Sequence, residues 1–184
     1  MALENWIAIS AIATFILAVA AFWAIWQNRG IQKRNRRERL LNEIIEWAVS
    51  ISKWRIDNKS MFREMAGKRG AKQKQMFLLA YIAEAEQSFR GMQGKNLYIN
   101  NVVQTFDQNL QKAAAKLVSD MNEYINFLES WCASVGDSIK AKLLIDKQKQ
   151  KDSFKKADKH MESLEKSANK VIEEAARIKT TDIR

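Results

Sequence analysis

Residues 154–178 read FKKADKHMESLEKSANKVIEEAARI. Within them Phe154, Ala157, Met161, Leu164, Ala168, Val171, Ala175 and Ile178 recur at alternating spacings of three and four residues. A helix turns once per 3.6 residues, so these positions share one stripe, and their strict three-four alternation is the seam of a coiled coil. A strand would instead need apolar residues at every second position, and no such run occurs in the chain. The seam can close on other helices of its own chain or on a second copy. Three of its eight positions are alanine, which buries little apolar area. A free-standing two-stranded coil would therefore be weak, and packing within the chain is the preferred reading.

Working outward from the seam, three further helices are expected. Ile139, Leu143 and Leu144 begin an apolar face ahead of the polar run Asp146–Ser153. The seam helix therefore reads as one element of about 40 residues, capped by Asp137 or Ser138 and ending near Lys179. The helix before it carries Val103, Phe106, Leu110, Ala114, Leu117, Met121, Tyr124, Leu128 and Trp131. It is expected to start at an Asn100 or Asn101 cap and to end near Gly136. A second helix runs from about Lys72 to Met92 on the stripe Leu78, Ile82, Ala85, Phe89 and Met92, with Phe77 and Tyr81 beside it, and Gly91 and Gly94 end it. The first carries Leu40, Leu41, Ile44, Ile45, Ala48 and Ile51, widened by Trp47 and Trp54. It fades around Asp57–Ser60, before a weakly apolar turn at Met61–Met65 and a loop at Gly67–Gly70. The chain has no proline and only six glycines, so nothing breaks a helix by ring clash. The fold class is all-α: an antiparallel bundle of about four long helices with coiled-coil character, since short connections make long neighbours antiparallel.

Ahead of the bundle stands NWIAISAIATFILAVAAFWAIWQ, residues 5–27, without a charged side chain. About 20 apolar residues cross a bilayer core of about 30 Å, so this stretch is expected to be a single transmembrane helix. Trp6 at one end, and Trp23 and Trp26 at the other, suit the two headgroup interfaces. Only Glu4 is charged before the stretch, whereas Arg29, Lys33, Arg34, Arg36, Arg37 and Arg39 follow it against Glu38. Basic flanks stay in the cytoplasm, which predicts an outer N-terminus and a cytoplasmic remainder at the inner membrane. A cleaved signal peptide, with Ala18–Ala20 as its cleavage site, would carry its positive charge before the apolar region rather than after it. Ser10, Thr14, Ala18 and Ala21 share one side of the span and offer a small-residue face for an intramembrane contact. Gly30 can kink the exit. The organisation read from these features is an anchor at 1–28, a basic juxtamembrane segment at 29–39, a helical bundle at 40–179 and a tail at 180–184.

Charge and chemistry narrow the function. The net charge is +10. It arises from the arginine cluster, from Arg63–Lys74, and from Lys140–Lys159, where eight lysines face Asp146, Asp152 and Asp158. The arginine cluster suits anionic lipid headgroups, at about 1 kcal/mol per basic residue. The lysine segment lacks the stacking aromatics or reader motif of a nucleic-acid binder, so no nucleic acid is expected. It reads as a solvated helix face, with an acidic partner or anionic lipid as the alternative. A lone Cys132 allows no internal disulfide and fits a reducing compartment. His160 is the sole histidine. It has neither the companion ligands of a metal site nor a Glu-x-x-His partner, and no nucleophile elbow exists to build a triad on it. Gly67–Gly70 does not match a phosphate-binding loop. No cofactor, metal or catalytic residue is expected. The expected function is a single-pass, membrane-anchored interaction or scaffolding protein, partnered by another protein or by its own copies. The alternative is an oligomeric subunit of a pore, a transporter accessory or a transmembrane signalling assembly.

Overall fold

The computed structural model describes the backbone of residues 2–65 and 71–181 and the side chains of 14–54 and 73–181. The side chains of Trp6, Ser10 and Arg63–Lys72, the loop at Gly67–Gly70 and the last residues of the tail lie outside what is described. Among the described residues there are five helices and no strand: α1 (Ala2–Met65), α2 (Ala71–Gln93), α3 (Asn96–Val103), α4 (Gln108–Lys140) and α5 (Lys147–Thr181). The chain divides into two compact units, Met1–Leu40 and Leu41–Arg184.

In the second unit, four long helical segments surround one core. Leu41, Ile44, Trp47, Ala48, Ile51 and Trp54 of α1 are buried, as are Leu78, Tyr81, Ile82, Ala85 and Phe89 of α2. On α4 the buried set Leu110, Ala114, Leu117, Met121, Tyr124, Leu128, Trp131 and Val135 keeps the same three-four alternation as the α5 seam. Each large aliphatic side chain so buried contributes about 1.5–3 kcal/mol, which is why stripes rather than intrinsic propensity hold these helices. Cross-helix pairs give the directions. Trp47 bonds Asn96, at the start of α3 just beyond the end of α2, while Trp54 bonds Ser88 within α2, so α1 runs opposite to α2. Gln93 meets Asn122 while Gln75 meets Leu143, and Asp107 meets Arg177 while Trp131 meets Phe154. Each successive pair of long helices is therefore antiparallel.

Four expected helix limits are corrected. First, α1 does not fade at Asp57–Ser60 but continues to Met65; with neither proline nor glycine there, each polar residue costs only a few tenths of a kcal/mol. Gly30 lies inside α1, which is one helix through the junction and does not end there. Second, Asn100 and Asn101 do not cap the long third helix. They sit inside α3, an eight-residue helix, and Val103 and Phe106 belong to that connector. The cap is Asp107, whose extended backbone (ψ 162°) turns the chain and whose carboxylate accepts from the Leu110 N–H at 3.0 Å. Third, Gly136 does not stop the helix. Its backbone is right-handed and α4 runs on to Lys140; the stop is Lys142, at φ 55°. Gly91 is likewise inside α2, which ends at Gln93 before Gly94. Fourth, Asp137 and Ser138 lie within α4 and do not cap α5. That helix starts at Lys147, with the Asp146 carboxylate accepting from the Gln148 N–H at 2.7 Å. Leu143 and Leu144 consequently sit in a loop, about two-thirds exposed, rather than opening an apolar helix face.

Candidate functional site

Two regions depart from what packing alone requires. The first is the described part of the N-terminal apolar stretch. Phe15, Ile16, Leu17, Val19, Phe22, Trp23, Ile25 and Trp26 are each more than half exposed, all round the helix. Thr14, Ala18 and Ala21 are exposed as well. Trp23 and Trp26 lean on one another, with ring centroids 5.6 Å apart. Arg29, Lys33, Arg34, Arg36, Arg37 and Arg39 follow on the same helix and are all exposed. Trp26, Gln27, Arg29, Gly30 and Lys33 line a shallow groove of about 440 Å³. Among the described residues no helix is long and apolar enough to cross a membrane. The described side chains reach back only to Thr14, and Thr14–Gln27 covers about 20 Å of helix at 1.5 Å per residue, against a bilayer core of about 30 Å.

The second region is the face between α4 and α5. The structure places the seam residues Ala157, Met161, Leu164, Ala168, Val171, Ala175 and Ile178 in the core of their own chain. Phe154 is half-buried, edge-on to Trp131 at 5.3 Å. Beside the seam is a polar cluster that the apolar pattern does not announce. Asp120 is 3% exposed. Its carboxylate accepts from Lys116 at 2.6 Å, from Ser163 at 3.1 Å and from Ser167. Burial pushes this carboxyl up, but the bonds from Lys116, Ser167 and Ser163 outweigh it and hold it below the usual carboxylate range. The available signal was an aspartate at an inward position between Leu117 and Tyr124, facing two serines that flank Leu164 and Ala168. A second cluster joins the α4 cap to α5. Arg177 bridges Asp107 and Glu174, and Lys170 also reaches Glu174 at 3.0 Å. The Leu110 N–H and then Arg177 keep the Asp107 carboxyl acidic against the opposing effect of desolvation.

His160 lies half-buried against the stacked pair Tyr124 and Phe127, with ring centroids 5.8 and 5.2 Å away. Desolvation lowers its pKa, and Lys159 and Lys156 add to this, while Glu123 and Asp120 oppose it. Trp54, Phe89, Tyr124, Phe127, Trp131 and Phe154 continue the ring contacts across all four long helices. Cys132 is half-buried, and burial pushes its thiol up, away from a reactive thiolate. Among the described residues no group of three metal-ligating side chains converges. The clusters at Asp120, Arg177 and His160 join α4 to α5 and register the two helices on one another. No family model matches the chain, and neither a curated protein nor a solved structure shows significant similarity to it.

Proposed function

We propose that this protein is a single-pass membrane-anchored interaction module. Residues 5–27 cross the inner membrane with the N-terminus outside, the basic segment 29–39 engages anionic headgroups, and the helical bundle works in the cytoplasm by binding a partner protein. The observation that carries the reading is the exposure of Phe15–Trp26 around the whole helix, directly ahead of a run of exposed arginines. A contiguous apolar surface of this kind costs free energy in water and is relieved by lipid, and basic residues at one end fix which leaflet they meet. Burial of the α5 seam within the chain supports a bundle complete in one copy. It leaves the Thr14, Ala18 and Ala21 side as the surface on which the alternative, an oligomeric membrane subunit, would have to rest.

Alkaline carbonate extraction of native membranes, combined with protease added to right-side-out vesicles, tests the anchor. The chain should stay in the pellet at about pH 11, and a C-terminal tag should be protected until the vesicles are opened. Release by carbonate or by high salt would reduce the apolar helix to a peripheral contact, and a tag digested in sealed vesicles would reverse the topology. Co-purification in mild detergent tests the interaction role: a partner at fixed ratio supports it, and a homogeneous monomer with no companion sinks it.

A further inference from the structure

We infer that the α4–α5 end of the bundle is a docking surface for a partner protein, and that it receives an acidic segment carrying an apolar side chain. The loop there is built rather than slack. The Ala141, Lys142 and Leu143 N–H groups donate to the carbonyls of Asp137, Ile139 and Ser138 at 3.0, 3.0 and 2.9 Å. Lys142 takes a left-handed backbone (φ 55°) that L side chains adopt at a cost. From α2, Gln75, itself 6% exposed, donates through Nε2 to the Leu143 carbonyl at 3.1 Å. Asp146 then opens α5 by accepting from the Gln148 N–H. A loop so well anchored still presents Leu143 and Leu144 at 64% and 63% exposure. Connecting loops ordinarily carry polar residues at such positions.

Beside these leucines lies a cavity of about 520 Å³, with Leu144 and Ile145 as its apolar wall and Lys74, Asp146, Lys147 and Gln150 around it. Lys74 and Lys147 line it against Asp146, and in the sequence Lys140, Lys142, Lys149 and Lys151 cluster about the loop against Asp152. Potentials complementary across an interface steer and register a partner, so this field selects carboxylates. The hollow favours a protein over a bilayer: a flat membrane would cover the leucines but leave the cavity empty, whereas a short peptide segment can seat an apolar side chain together with its flanking residues in it.

The inference rests on the interaction-module reading but not on the membrane anchor. Its test is a random dodecapeptide display library panned on the full chain in detergent micelles, with Leu144→Ser and Lys147→Glu as counter-targets. Recovered peptides should place Asp or Glu around an apolar residue. Their affinity, read by fluorescence anisotropy, should fall at least tenfold on each variant and weaken with added salt. Both substitutions lie on exposed side chains, and circular dichroism checks the fold; Leu143→Ser is the second variant should either disturb it. Failure to recover any peptide, or recovery of peptides that bind wild type and variants alike, overturns the assignment. The bilayer alternative is tested with the chain reconstituted in phosphatidylcholine liposomes: clustering with phosphatidylserine vesicles that is lost in Leu144→Ser would make the tip a lipid contact and overturn the peptide reading. If a partner co-purifies at fixed ratio and both tip variants retain it, the module reading stands and this surface is wrong. If nothing co-purifies, the module reading itself falls.

Discussion

At the scale of single residues, Asp120 is the side chain whose loss should be felt most for its size. It is buried on α4, yet three donors from two helices satisfy it. Asp120→Ala strands two serine hydroxyls at the α4–α5 face and removes charge-assisted bonds, so a loss of about 2–3 kcal/mol is expected. Asp120→Asn keeps the shape and one acceptor oxygen and should lose less; urea unfolding midpoints of the two variants check the order. His160 sets a pH dependence. Its folded pKa lies below the ordinary value, so between the two values the unfolded chain binds more protons than the folded one. Stability from this group is therefore complete above the unfolded pKa of about 6.5 and declines as pH falls through the folded pKa. Asp120 has the same sign in a lower window, because its lowered carboxyl protects the fold until acid protonates it. Thermal melts from pH 7.5 to 5 should show midpoints falling with pH in wild type. His160→Phe, which keeps a ring against Tyr124 and Phe127, should flatten that decline, and an equal slope in both proteins would rule the histidine out.

At the scale of elements, the helix ends show where local pattern and packing part company. Gly136 resembles a stop signal by residue type, but its backbone is right-handed and an added Cβ would meet only Leu79 Cδ1, at 3.9 Å. That is ordinary van der Waals contact. Gly136→Ala should therefore stabilise the protein by about 0.5–1 kcal/mol, the usual helix-interior difference, and would have destabilised it had the glycine been a left-handed cap. Differential scanning calorimetry distinguishes the two signs. The apolar stripes of α2, α4 and α5 were legible because helical spacing alone places them on one face. The Asp107 cap and the separate α3 helix were not. Asn100, Asn101 and Asp107 are all good capping residues, and only the burial of Ile99, Val102, Val103 and Phe106 in the connector decides which one starts the long helix.

At the scale of the whole molecule, the two units make different demands on their surroundings. Residues 41–184 have a core of their own, drawn from all four long helices, whereas the described side chains of 14–37 are exposed throughout. A fragment of residues 41–184 is expected to remain folded in buffer and to melt in one cooperative urea transition, while losing the membrane association proposed for the full chain. A fragment that aggregates or melts without cooperativity would show that the core depends on the N-terminal unit. Because the seam is used internally, this fragment should also sediment as a monomer, and a seam-mediated dimer in analytical ultracentrifugation would contradict the packing of α5 on α4.

The sequence by itself determined the helical class, the stripes that become the core, the single apolar stretch and the basic run that follows it. Each follows from short-range regularities, 3.6-residue periodicity and charge order, which need no knowledge of what lies across a gap. Only the tertiary structure decided that the α5 seam closes on its own chain, that Asp120 meets Ser163 and Ser167, and that His160 packs against two rings of α4. It also decided that Leu143 and Leu144 stand exposed on an anchored loop. These partners lie tens of residues apart in the chain. Their meeting depends on helix lengths and register, which capping and burial settle together and which no local pattern contains.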